Sequence, residues 1–82
     1  MSSHYPPLTC TQVKNILTNL GFEKRATQGG GTSHEQWIKD SDGRRYKVTV
    51  DCPKAPFSKI LIGSMARQAG VTKKKFYEAL GK

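Results

Sequence analysis

The 82-residue sequence predicts one α+β domain in the order α-β-β-β-α-α, with a three-stranded antiparallel sheet covered on one face by helices. Three observations carry this. Val13, Ile16, Leu17 and Leu20 repeat at i, i+3, i+4, i+7 and are followed by Gly21, the signature of an amphipathic helix and its stop. Asp42-Gly43 separates two alternating segments, the strongest short-range signal for a two-residue hairpin turn. Gly70 and Thr72 then divide the C-terminal third into two helical segments.

The elements follow in order. Residues 1–8 read as an extended leader, because Pro6-Pro7 cannot enter a helix interior, and 9–82 as the single domain. Thr9 or Thr11 caps the first helix, and Gly21 ends it. Phe22 to Gln28 reads as a short strand broken by Gly29-Gly30-Gly31. Ser33 to Asp40 is the second strand and Arg44 to Asp51 the third. With Asp42-Gly43 as the turn, Ser41 pairs with Arg44, Lys39 with Tyr46, Trp37 with Val48 and Glu35 with Val50. Trp37, Tyr46, Val48 and Val50 then share a core face. His34, Gln36 and Ile38 lie beside Lys47, Thr49 and Asp51 on the other. A three-residue turn would shift the register and swap the faces. Cys52 to Pro56 reads as a loop. Ser58 caps the next helix, with Ile60, Leu61, Met65 and Ala69 as its buried face; Thr72 caps the last, which turns Val71, Phe76 and Leu80 inward. Trp37, Tyr46, Phe57 and Phe76 read as core, leaving Tyr5 and Tyr77 free.

Size and composition exclude several classes. A chain this short has no room for a dinucleotide fold, a barrel or a kinase. No stretch approaches the ~20 apolar residues of a membrane span, and the first residues lack the basic start and apolar run of a signal peptide. Cys10 and Cys52 form neither a disulfide framework nor a zinc motif and read as reduced thiols of a cytosolic protein. No metal-ligand cluster or cofactor motif is evident, so neither a metal nor a cofactor is expected.

Charge points to a polyanion. Fourteen Lys and Arg stand against six Asp and Glu, a formal net charge of +8. Residues 1–40 carry +1 of it and residues 41–82 carry +7, on Arg44, Arg45, Lys47, Lys54, Lys59, Arg67, Lys73, Lys74, Lys75 and Lys82. Cations that reach phosphates release condensed counterions, the usual source of nucleic-acid affinity. Lys54 and Lys59 flank the start of the second helix, where free N–H groups already favour phosphate.

One residue stands out as a proton-transfer group. A lone strand histidine is more often a hydrogen-bonded surface residue. His34, however, follows the glycine-rich Gly29-Gly30-Gly31-Thr32-Ser33, falls on the polar face of the sheet and sits in a strongly basic chain. Imidazole exchanges protons near neutral pH. RNA suits such a site, because its 2′-hydroxyl is an internal nucleophile that needs only deprotonation, alignment and charge stabilisation.

Gly31-Thr32-Ser33-His34 opening the second strand, Leu20-Gly21-Phe22 after the first helix, Asp42-Gly43-Arg44-Arg45 in the hairpin, Lys54 and Gln68-Ala69-Gly70-Val71 form an ordered set. This set resembles the HicA toxins of HicA–HicB toxin–antitoxin pairs, over about Leu8 to Leu80. The resemblance implies a double-stranded-RNA-binding-domain-like fold and a ribosome-independent, metal-independent endoribonuclease that cleaves mRNA in the cytoplasm and arrests growth. It implies a HicB-like antitoxin that covers this face, and it maps the family's catalytic histidine onto His34. Gly31, Thr32 and Ser33 would position the phosphate, and Arg44, Arg45, Lys47, Lys54 and Lys59 would hold the RNA backbone. Many relatives carry a second histidine where this chain has Glu35, and a Val-Pro-His-type segment where it has Val50-Asp51-Cys52-Pro53. Lys47, Lys54 and Asp51 are the candidates for a second proton-transfer group. The competing readings are a non-catalytic basic RNA-binding module and an interaction protein that docks an acidic partner.

Overall fold

The computed structural model describes residues 6–25 and 34–81. These form α1 (Cys10–Asn19), β1 (Glu23–Arg25), β2 (His34–Ser41), β3 (Arg44–Asp51), α2 (Lys59–Gln68) and α3 (Lys73–Glu78), with short 3-10 turns at Cys52–Lys54 and Ala79–Gly81. The sheet is antiparallel in the order β1-β2-β3. This is the α+β order the sequence predicts. Of the predicted first strand, 26–28 lie outside the described residues, as do the triple glycine and Ser33.

Each helix starts on a hydroxyl cap. Thr9 and Gln12 form a reciprocal capping box: the Gln12 N–H donates to Thr9 Oγ1 at 3.1 Å and the Thr9 N–H to Gln12 Oε1 at 2.8 Å. Ser58 and Thr72 accept from the N–H groups of Leu61 and Lys75. α1 and α2 also stop in the same way. The Phe22 N–H reaches the Leu17 carbonyl at 2.9 Å, and the Val71 N–H reaches the Ala66 carbonyl at 3.0 Å. The residues just before them, Gly21 and Gly70, hold the positive φ of this Schellman closure. Gly70 has a second constraint: a Cβ there would lie 2.6 Å from the Tyr46 ring, so the α2–α3 corner rests directly on β3.

The hairpin register is the predicted one, from Ser41↔Arg44 through Trp37↔Val48 to His34↔Asp51. Asp42 and Gly43 both take positive φ, 53° and 75°, as a type I′ turn requires. One face of the sheet buries Trp37, Val48 and Val50 against Val13, Ile16 and Leu17 of α1, Ile62, Met65 and Ala66 of α2 and Phe76 of α3.

Several expectations are corrected. The buried face of α2 is Ile62, Met65, Ala66 and Ala69, whereas Ile60 is 83% exposed and Leu61 37%. Ile60-Leu61-Ile62 is an unbroken apolar run, so local pattern does not set its phase; counting back from Ala69 by helical steps selects Ile62. Leu8, placed in the leader, is 2% exposed and exchanges backbone hydrogen bonds with Phe57. Tyr77 is not free: its hydroxyl donates to the Pro6 carbonyl at 2.6 Å. The 52–56 segment contains a 3-10 turn, because Pro53 stands in the first turn, where no N–H donor is needed.

The cysteines are the largest correction. Cys10, at the first turn of α1, and Cys52, just after β3, form a disulfide with Cα atoms 5.3 Å apart. They are 42 residues apart in sequence, and nothing local announces the pairing. Closing a loop of that size removes on the order of 4 kcal/mol of chain entropy from the unfolded state. That is a large contribution for a domain with so small a core.

Candidate nucleic-acid interface

The sheet face opposite the helices carries the open-face positions of all three strands. The register aligns Arg25 with Gln36 and Thr49, and Glu23 with Ile38 and Lys47. His34 pairs with Asp51 at the end of the hairpin remote from its turn. Side chains alternate along a strand, so Asp51, the register partner of His34, lies on the same side of the sheet as Lys47 and Thr49.

Asp51 also borders a cavity of about 210 Å³ between the outer edge of β3 and α2. Thr49, Lys54, Leu61, Ser64 and Gln68 supply the rest of its mouth, with Phe57 and Met65 below. The Thr49 N–H points out of the sheet edge to Gln68 Oε1 at 3.4 Å, which helps hold α2 alongside β3. Lys54 is exposed at this mouth, three residues after Asp51. The register position of His34, Asp51, Lys54 and this cavity therefore lie at one end of the sheet.

The other predicted contacts are spread out. Arg44 and Arg45 stand at the turn end of β3, about 20 Å from Asp51 at ~3.3 Å per residue, so one phosphate cannot reach both ends. They also point to opposite faces, since side chains alternate along a strand. Arg45, on the open face, pairs with Asp40 at 3.0 Å, and that hydrogen bond and charge raise its pKa. Lys47 is exposed on the open face between the two ends. Lys59 opens α2 and lines a separate groove of about 590 Å³ with Ile60, Gly63, Arg67 and Lys73. Sequence reasoning gave Lys59 a backbone-holding role but did not group it with Arg67 and Lys73; the helical spacing of Lys59, Gly63 and Arg67 was the available signal. Gly31, Thr32 and Ser33 lie outside the described residues.

Glu35 faces the helices. It takes Lys14 of α1 at 2.9 Å and Lys24 of β1 at 3.7 Å. Burial pushes its pKa up, but the hydrogen bond and charge of Lys14, then Lys24 and the Trp37 indole, bring it below the ordinary carboxylate value. Glu35 Oε1 and Trp37 Nε1 are otherwise enclosed without a hydrogen bond of good geometry. Glu35 thus ties α1 to the sheet on the covered side, away from the open face.

Among the described residues, no group of three or more His, Cys, Asp or Glu side chains could hold a metal ion, and no helix is long and apolar enough to cross a membrane. Comparison with protein families, curated proteins and solved structures finds no match to this chain.

Proposed function

We propose that the chain is an endoribonuclease of the HicA toxin type, which cleaves mRNA in the cytoplasm and is neutralised by a HicB-like antitoxin laid over the open sheet face. The observation that carries this reading is the register of β2 and β3. It sets the one strand histidine opposite Asp51, at the end of the sheet where Lys54 borders a cavity.

In this reading His34 takes the proton of the RNA 2′-hydroxyl. The oxygen then attacks the adjacent phosphorus, and the 5′-oxygen leaves with a proton from a second group. The products are a 2′,3′-cyclic phosphate and a 5′-hydroxyl end. Lys54 stabilises the charge that builds on the phosphoryl oxygens. Lys47 and Arg45 on the open face grip phosphates further along the strand. Contacts of this kind read backbone and shape, so weak sequence preference follows.

The test is incubation of the purified protein with RNA at neutral pH in EDTA, followed by gel electrophoresis and analysis of the ends. Fragments ending in 2′,3′-cyclic phosphate, lost in His34→Ala, are expected. Intact RNA in a retarded band would replace this reading with a non-catalytic RNA-binding module.

A further inference from the structure

The proposed site of action and the disulfide are in tension, because cytosolic glutathione keeps most thiols reduced. The position of the bond suggests a resolution. Cys52 immediately follows Asp51 and lies two residues before Lys54, so it sits on the segment that forms the cavity mouth. That segment, residues 52–58, is held to the N-terminal segment in two places. One is the bond to Cys10, and the other is the pair of backbone hydrogen bonds between Leu8 and Phe57, at 2.7 and 3.3 Å. Both cysteines are half-buried. Among the described residues, the Ala55 N–H closes the 3-10 turn onto the Cys52 carbonyl, Phe57 is buried and Ser58 caps α2, whereas Pro53 and Pro56 have no N–H to give.

We infer that Cys10 and Cys52 are a site of reversible thiol–disulfide exchange with a low-molecular-weight disulfide such as oxidised glutathione, and that the bond sets the order of the Asp51–Lys54 segment. In the forward direction one cysteine thiolate attacks the glutathione disulfide and releases one reduced glutathione. The second cysteine displaces the other, so two thiols become the protein disulfide and two glutathiones carry away the two electrons. In reverse, two reduced glutathiones restore both thiols. Reduction removes the tie nearest the cavity mouth, leaves the segment held at Phe57 and Ser58, and loosens Lys54 beside Asp51. The bonded form is the pre-organised one and holds RNA more tightly. That functional half of the inference rests on the RNA-directed reading above.

The test uses the full chain, equilibrated in oxidised or reduced glutathione, with the thiol state read by alkylation and mass spectrometry. Losing the bond lowers global stability and raises cutting at every site alike. In the reduced form the rise in trypsin cutting after Lys54 should therefore be at least tenfold above the common rise at Lys14, Lys24 and Arg67. At fixed salt the reduced form should also hold a non-cleavable 2′-O-methyl RNA about tenfold more weakly. The Cys10→Ser, Cys52→Ser variant should match the reduced form in both buffers. A rise at Lys54 no greater than the rise at Lys14, Lys24 and Arg67 overturns the inference, since the bond would then be neutral or a staple for the whole fold alone. Equal RNA retention by both forms overturns the coupling to the site. If neither form cleaves RNA but both differences persist, the exchange site stands and the nuclease reading falls.

Discussion

The two faces of the sheet share one register and differ in almost everything else. On the covered face Trp37, Val48 and Val50 are packed against three helices, and its one carboxylate, Glu35, is tied to Lys14. On the open face Lys47 and Thr49 are exposed, Asp51 borders a cavity, and Arg45 pairs with its hairpin neighbour Asp40. A strand alternates its side chains, so a single β3 serves both demands at once. Changes on the covered face should therefore act on stability, and changes on the open face on RNA with the fold left intact.

The largest effect expected is on the covered side. Phe76→Ala removes a fully buried ring and should cost about 3–5 kcal/mol in urea unfolding, a large part of the stability of so small a domain. His34→Ala makes the contrast: RNA cleavage should fall by about 10²–10⁴ while the melting temperature stays within a few degrees. A large drop in melting temperature for His34→Ala would erase the distinction between the faces. Lys47→Ala is milder. It should reduce the slope of log affinity against log salt by about 0.7, one phosphate contact on a single strand, with no change in the urea midpoint.

The smallest effect returns to the covered face. Glu35→Gln should lose no more than about 1 kcal/mol, because the pair with Lys14 is partly open to solvent. The folded pKa of Glu35 lies below its ordinary value of 4.5. The contribution of the pair is therefore present above that value and lost as pH falls through the folded pKa. Wild type and Glu35→Gln should differ in unfolding free energy at pH 7 and converge in acid.

What could be read in advance was local. The Asp42-Gly43 turn and the alternation of Arg44 to Asp51 gave the full β2–β3 register, and with it the placement of His34 opposite Asp51. The caps Ser58 and Thr72 and the stops Gly21 and Gly70 were equally plain, while the choice of Thr9 over Thr11 was left to its capping box with Gln12. Of the candidate site, Lys54 falls beside Asp51. The turn-end arginines lie too far away to act at the same phosphate, and β-strand rise alone was enough to reveal that.

Secondary structure, helix boundaries and hairpin register follow from preferences a few residues long: φ/ψ limits, capping hydroxyls and hydrophobic period. The phase of α2, the burial of Leu8, the Tyr77–Pro6 hydrogen bond and the Cys10–Cys52 bond do not. Each joins groups far apart in the chain, 71 residues for Tyr77 and Pro6 and 42 for the cysteines. Such contacts exist only once the sheet has two faces and the helices have chosen one, because their energy comes from burial and closure that no short segment possesses.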